Sequence, residues 1–206
     1  MIEKVKQTLS EKLLLALFIV LGMMAIYIFF ILPQKCLFIK NYNPKEISFE
    51  KPKNIVVLNV DCGNVIIERF PENSPKSVER CKMLISLGKY NNIAFHRVIK
   101  DVLVQSGDLE FGKKDNYNYL YIGTGKSGYG TLKSELSEKI EFVTGTIGLA
   151  RTNKLNTEDS QFFILLQDAP LFSEEYTPIG RVIYGLDLSS NVWTEKFDTN
   201  FSKTDM

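Results

Sequence analysis

An unbroken run of uncharged residues, Leu13 to Leu32 (LLLALFIVLGMMAIYIFFIL), constrains this chain more than any other feature. As a helix, this run would rise about 30 Å, the thickness of a bilayer's hydrocarbon core. The interior N–H and C=O groups of a helix are bonded within it, so such a segment can sit in lipid. A cleaved signal peptide usually has a shorter apolar core ending in small residues, whereas this run ends Phe29-Phe30-Ile31-Leu32-Pro33. The reading is an uncleaved transmembrane helix over 13–32, behind a short leader at 1–12, with a lipid bilayer as its partner. Lys4, Lys6 and Lys12 precede it and Lys35, Lys40, Lys45 and Lys51 follow, so basic residues do not decide the orientation. A short leader before a large domain is the layout of a signal anchor. That layout puts the domain on the exported side, facing a bacterial periplasm or a lumen.

Residues 33–53 carry Pro33, Pro44 and Pro52 among lysines and asparagines and read as a linker. The whole chain, 206 residues and 45% hydrophobic, is long and apolar enough for one packed domain beside the anchor. Basic and acidic residues balance at 25 to 24 with no basic run, which argues against nucleic acid as a partner. One histidine, His96, and three scattered cysteines, Cys36, Cys62 and Cys81, offer no metal-ligand spacing, so no metal or cofactor is expected. Cys81 reads as a buried thiol.

Within the domain, IVVLNV (55–60) and VIIERF (65–70) flank an Asp-Cys-Gly-Asn turn and predict a hairpin. Ser74-Pro75 predicts a capped helix start; Val78, Cys81, Leu84 and Ile85 share a face, and Gly88 predicts the stop. The short apolar runs IAFHRVI, VLVQSG, YLYIG, GTIGLA, QFFILL and RVIYGL then alternate with turns. Many short strands with one inserted helix predict an antiparallel barrel or sandwich. Gly125-Lys126-Ser127 is not a phosphate loop, because Leu120 stands where that motif needs glycine.

Phe95-His96-Arg97-Val98-Ile99 with Val104-Gln105-Ser106-Gly107-Asp108 resembles the signature of the cyclophilin-type prolyl isomerases. Gly123 to Gly130 (GTGKSGYG) resembles that family's glycine-rich loop. Gly145 to Thr152 (GTIGLART), followed by Ser160-Gln161-Phe162-Phe163-Ile164, resembles the other wall of its cleft, in a form closer to bacterial members. The resemblance spans about two-thirds of the chain, with the three blocks in order. It implies a mainly β fold over 54–197: a closed antiparallel barrel capped by two helices, the second falling in Leu186 to Phe197. Residues 198–206 (DTNFSKTDM) lack an apolar alternation and read as a tail. The final barrel strand is therefore expected to be missing, with Glu46 to Glu50 (EISFE) as a candidate cover for the gap.

The resemblance also implies cis–trans isomerisation of X–Pro bonds in protein substrates, assisting folding near a membrane. Peptide rotation faces a barrier of about 18–20 kcal/mol, and X–Pro bonds populate both isomers but exchange slowly. Such a reaction calls for a donor to the twisted amide and an apolar pocket for the proline ring. By resemblance, Arg97 is the donor and Gln105 holds it or the substrate carbonyl. Val102, Leu103, Phe163 and Leu171 line the pocket, Ala150, Arg151 and Gln161 meet the peptide backbone, and Phe172 and Tyr176 close the rim. Val102, Leu103, Arg151, Leu171 and Tyr176 replace the family's usual phenylalanine, methionine, asparagine, tryptophan and histidine. Losing the indole predicts weak cyclosporin binding more than lost catalysis. His96 reads as a satisfied structural histidine facing away from the cleft. Alternative readings are a weakly active or inactive peptide-binding module, or a structural subunit of a membrane assembly.

Overall fold

The computed structural model describes residues 8–28, 40–60, 63–186 and 200–203. It divides into two compact units, Met1–Phe38 and Ile39–Met206. The first unit holds helix α1 (Leu9–Ile26), which begins earlier than the uncharged run. Thr8 caps it: its hydroxyl accepts from Glu11 N while the Glu11 carboxylate accepts from Thr8 N, a reciprocal box that admits Glu11 and Lys12 into the first turn. None of its residues is buried, and the helix is long and apolar enough to cross a membrane.

The second unit is built on one antiparallel sheet. Its strands are β1 (Ile55–Val60), β2 (Gly63–Arg69), β3 (Arg97–Ile99), β4 (Leu103–Ser106), β5 (Thr146–Leu149), β6 (Phe162–Leu165), β7 (Pro178–Tyr184) and β8 (Asn200–Lys203). They lie in the order β3-β4-β6-β5-β7-β2-β1-β8, and all neighbours pair antiparallel. The sheet curls around a core to which helix α2 (Pro75–Ser86) contributes Val78, Cys81, Leu84 and Ile85, the face expected from its periodicity. Burial lifts the Cys81 thiol to about 11, so it is inert.

Three of the sequence-based expectations need correcting in the sheet and its connections. Residues 198–206 do contain a strand: β8 pairs with β1, Leu58 facing Phe201 and Val56 facing Lys203. An edge strand is specified by the free N–H and C=O row of its neighbour, so it needs no apolar alternation of its own. The segment proposed to cover that edge is instead a short 3₁₀ turn (Pro44–Glu46) and irregular chain. The described strands form a curled sheet, with no pairing between its edges β3 and β8 among the described residues; the second capping helix falls outside the described residues. Finally, YLYIG forms turns rather than a strand.

Ser74 precedes α2 as expected, but its hydroxyl donates to the carbonyls of Pro178 and Phe70 rather than capping the helix. The Glu135 carboxylate takes over, accepting from Lys76 N (3.1 Å) and from the N and Oγ of Ser77 (2.9 and 2.7 Å). An anion at the positive end of the helix is the arrangement that the peptide dipoles favour. At the other end, Gly88 takes φ +64°, as a helix stop requires.

Candidate active site

Strand alternation sorts the sheet's side chains into two clusters. Val104, Phe162, Ile164, Ile147 and Leu149 point into the main core with α2. Leu103, Phe163 and Leu165 point the other way and, with Phe142, form a second apolar cluster. Val102, Ala150, Phe172 and Tyr176 pack against it. Of the adjacent phenylalanines, Phe162 is thus the core residue and Phe163 the cleft residue. Phe163 sits among aromatic edges, with ring centres 5.8 Å from Phe172 and 5.0 Å from Tyr176.

The ladder aligns a row across four strands, Arg97–Gln105–Phe163–Gly148. Arg97 Nη1 donates to Gln105 Oε1 (3.3 Å), and Gln105 Nε2 donates to Gln161 Oε1 (3.0 Å). Gln161 Nε2 in turn donates to the carbonyls of Gly123 (2.9 Å) and Gly125 (3.1 Å). An exposed guanidinium on an edge strand is thereby tied through two amides to the glycine-rich loop, beside an apolar aromatic wall. At the far end of the row, a Cβ on Gly148 would stand 2.5 Å from Phe163 Cζ and 2.8 Å from Phe142 Cε1. Glycine is what lets both rings occupy that place.

Of the residues expected at the site, Arg97, Gln105 and Gln161 join in the polar relay. Val102, Leu103, Ala150, Phe163, Phe172 and Tyr176 join in the apolar wall. Arg151 lines the cavity beside the relay and is held by its neighbours. Its Nε donates to Glu175 O (2.8 Å), its Nη1 to Thr152 O (3.0 Å), and its guanidinium stacks on Tyr176 at 5.0 Å, so it braces the rim. Leu171 is brought to none of these groups; it is 78% exposed, in the short turn Pro170–Glu174. A cavity of about 250 Å³ adjoins the relay; its lining includes Gln105, Gln161, Ala150, Arg151, Gly123 and Gly125.

The sequence reading missed Phe142 and the work of Gly148 and Asp108. Asp108, fully buried, accepts from four backbone donors: Glu110 N (3.1 Å) and Phe111 N (2.8 Å) on one oxygen, Gly123 N (2.7 Å) and Gly125 N (3.0 Å) on the other. Its place in the VQSGD motif was a signal for it. Phe142 lies outside regular structure, where no periodicity marks it.

His96 also departs from expectation, because among the described residues neither ring nitrogen has a partner in good hydrogen-bond geometry. The ring lies under Gly123. Burial lowers its pKa, opposed by Asp108, Gln161 and the Ala94 backbone and assisted by Arg97. A histidine held neutral contributes stability that is whole above its ordinary value of 6.5. That stability is lost as pH falls from there through the depressed folded value. Urea midpoints should therefore drop between about pH 7.5 and pH 5, and His96→Gln should flatten the slope across that window. An unchanged slope in the variant would assign the pH dependence to other groups.

A family model described as "Cyclophilin type peptidyl-prolyl cis-trans isomerase/CLD" matches residues 55–203. A Brucella suis protein named "Probable peptidyl-prolyl cis-trans isomerase" is 42% identical over 141 residues, 68% of this chain and 71% of the other. The human "Peptidyl-prolyl cis-trans isomerase-like 3" is 36% identical over 137 residues, 64% of this chain and 77% of its own. A Cryptosporidium parvum cyclophilin-type isomerase, solved in the presence of the dipeptide Ala-Pro, superposes with a TM-score of 0.62 at 22% identity. That match covers 74% of this chain and 99% of the other. A cyclophilin from Hirschia baltica gives 0.62 at 18% identity, covering 81% and 83%. At those identities the solved structures speak for the fold.

Proposed function

Because the chain belongs to the cyclophilin-type peptidyl-prolyl cis–trans isomerase family, we propose that Arg97 is the group through which it turns X–Pro bonds. The chain is an enzyme of that activity, and the open question is how its own residues perform it. In the planar amide, the proline nitrogen shares its lone pair with the carbonyl. As the bond twists, the lone pair localises on nitrogen, and a cation aimed there is favoured in the twisted state over the planar one. The observation that carries this assignment is the row Arg97–Gln105–Phe163, which sets a guanidinium beside an aromatic wall on adjacent strands. Gln105 and Gln161 orient the guanidinium and present amide groups to the peptide backbone. Leu103, Phe163, Phe172 and Tyr176 receive the proline ring, and Ala150 leaves room for the chain. No nucleophile and no proton transfer is called for. The test is isomerisation of an X–Pro peptide by the full-length chain, wild type against Arg97→Ala.

The substrates are proline-containing polypeptides. The site of action is a membrane surface, with α1 as the anchor and the catalytic domain on the exported side. The uncharged stretch of α1 from Leu13 onward and the exposure of all its residues support anchoring. Protease digestion of sealed membrane vesicles reads the side: a domain protected in cytoplasm-filled vesicles would reverse the orientation. Cyclosporin binding is weak on this reading, since Leu171 offers neither an indole N–H nor a flat face to the cleft. Calorimetric titration reaching nanomolar affinity would overturn that.

A further inference from the structure

Outside α1, the three most exposed large apolar side chains of the described residues are Leu120 (87%), Tyr119 (83%) and Leu171 (78%). Leu171 stands in the short turn Pro170–Glu174, while Tyr119 and Leu120 belong to the run that was expected to be a strand and forms turns instead. That run ends on Gly123, whose carbonyl anchors Gln161 and which lines the cavity beside the relay.

The turns hold a fixed shape. Asn118 N donates to Phe111 O (3.0 Å), Ile122 N to Asn118 O (2.9 Å) and Thr124 N to Tyr121 O (3.0 Å). The Asn118 side chain accepts from Leu120 N (3.0 Å). Tyr117 and Tyr119 meet edge to face at 4.6 Å, and Tyr121 leans on Phe111 at 5.6 Å. Keeping a leucine and two tyrosines in water costs solubility and adds no packing, so an ordered apolar knob marks a contact surface. Rigid aromatic side chains bind with little entropy left to lose.

We propose that loop 117–121 is a client-binding arm that extends the isomerase cleft. It selects extended polypeptides that carry apolar or aromatic residues close to the proline. This rests on the cleft reading above. The occupant follows from continuity: a chain whose proline lies against Phe163 passes Ala150 and Gln161 and reaches the cavity lined by Gly123 and Gly125, and Gly123 is the last residue of the run that carries Tyr119 and Leu120. Unfolded segments, unlike folded surfaces, present proline and exposed apolar side chains together, which suits an isomerase that assists folding.

The experiment compares full-length wild type with the double variant Tyr119→Ser/Leu120→Ser on two substrates. One is a tetrapeptide with a single X–Pro bond, too short to span from the proline pocket to the arm. The other is an unfolded protein whose refolding is limited by a proline. The variant should leave kcat/KM for the tetrapeptide within about twofold and lower catalysis of refolding about tenfold, through a raised KM. Unchanged refolding would overturn the proposal. Equal losses on both substrates would too, by assigning the loop to the stability of the cleft. An effect seen only when the enzyme sits in a bilayer would overturn it by assigning the arm to lipid. Arg97→Ala, run in parallel, separates the readings: if it leaves tetrapeptide turnover intact, the assignment of the cleft fails, whatever the arm does.

Discussion

Replacing Arg97 by alanine should lower kcat/KM for an X–Pro peptide by between about tenfold and a thousandfold, the cost of removing one donor that acts in the transition state. The loss should fall mainly on kcat. A planar ground-state amide has little lone pair to offer the guanidinium, so the contact strengthens only as the bond twists. The fold should hardly notice. Arg97 is exposed, on edge strand β3, and its side-chain bond goes to Gln105, which keeps Gln161 as a second partner. Surface substitutions of this kind usually move stability by no more than about 0.5 kcal/mol. Arg97→Lys separates charge from geometry. An ammonium keeps the charge and loses the planar fork that can hold Gln105 and point at nitrogen together, so its rate should lie between those of wild type and alanine. The measurement is a protease-coupled isomerisation assay beside a urea melt. Alanine and wild type turning over at equal rates, with equal midpoints, would remove Arg97 from the mechanism.

Most of what makes this chemistry possible is legible along the chain, and the illegible remainder has a physical pattern. The hairpin of β1 and β2, the buried face of α2 and the two opposed faces of β6 follow from periodicity. One face of each meets the core: Val56, Leu58, Val65 and Ile67 on the hairpin, Val78, Cys81, Leu84 and Ile85 on the helix, and Phe162 and Ile164 on β6. The row Arg97–Gln105–Phe163 was reachable only through the family resemblance, because which strand lies beside which is not written in any local pattern. β8 escaped notice because an edge strand is specified by the open edge of β1 rather than by its own residues. Glu135 as the anion at the start of α2 escaped because the capping residue is 58 positions from Ser77 in sequence. YLYIG misled for the opposite reason: its apolar residues suggest burial and are held in water by turns. Long-range pairing and deliberate exposure are the two things that composition and spacing do not encode.

The larger loss of stability should come from Asp108→Ala. Asp108 is fully buried and accepts four backbone N–H groups, two on each oxygen, which closes the 108–125 segment on itself. Alanine would leave all four donors without their acceptor. Each buried donor so abandoned costs about 1–3 kcal/mol, less where water can enter. Gly125 N is the one bonded in a buried setting, and Glu110, Phe111 and Gly123 are nearer the surface, so a total of about 3–5 kcal/mol is expected. For a chain of this size that is a fall in Tm of about 6–20 °C. Asp108→Asn should not rescue it. One amide oxygen can keep Glu110 and Phe111, but the NH₂ group then faces the donors of Gly123 and Gly125. Activity should fall as well, though less than for Arg97→Ala. The carbonyls of Gly123 and Gly125 hold Gln161, which holds Gln105, which orients the guanidinium. Thermal unfolding gives the first number, and hydrogen exchange at the Gly123 and Gly125 amides gives the local one. If Tm stays put and those two amides remain protected in the alanine variant, the carboxylate is not what closes the loop, and the relay from Gln161 to Arg97 must be anchored elsewhere.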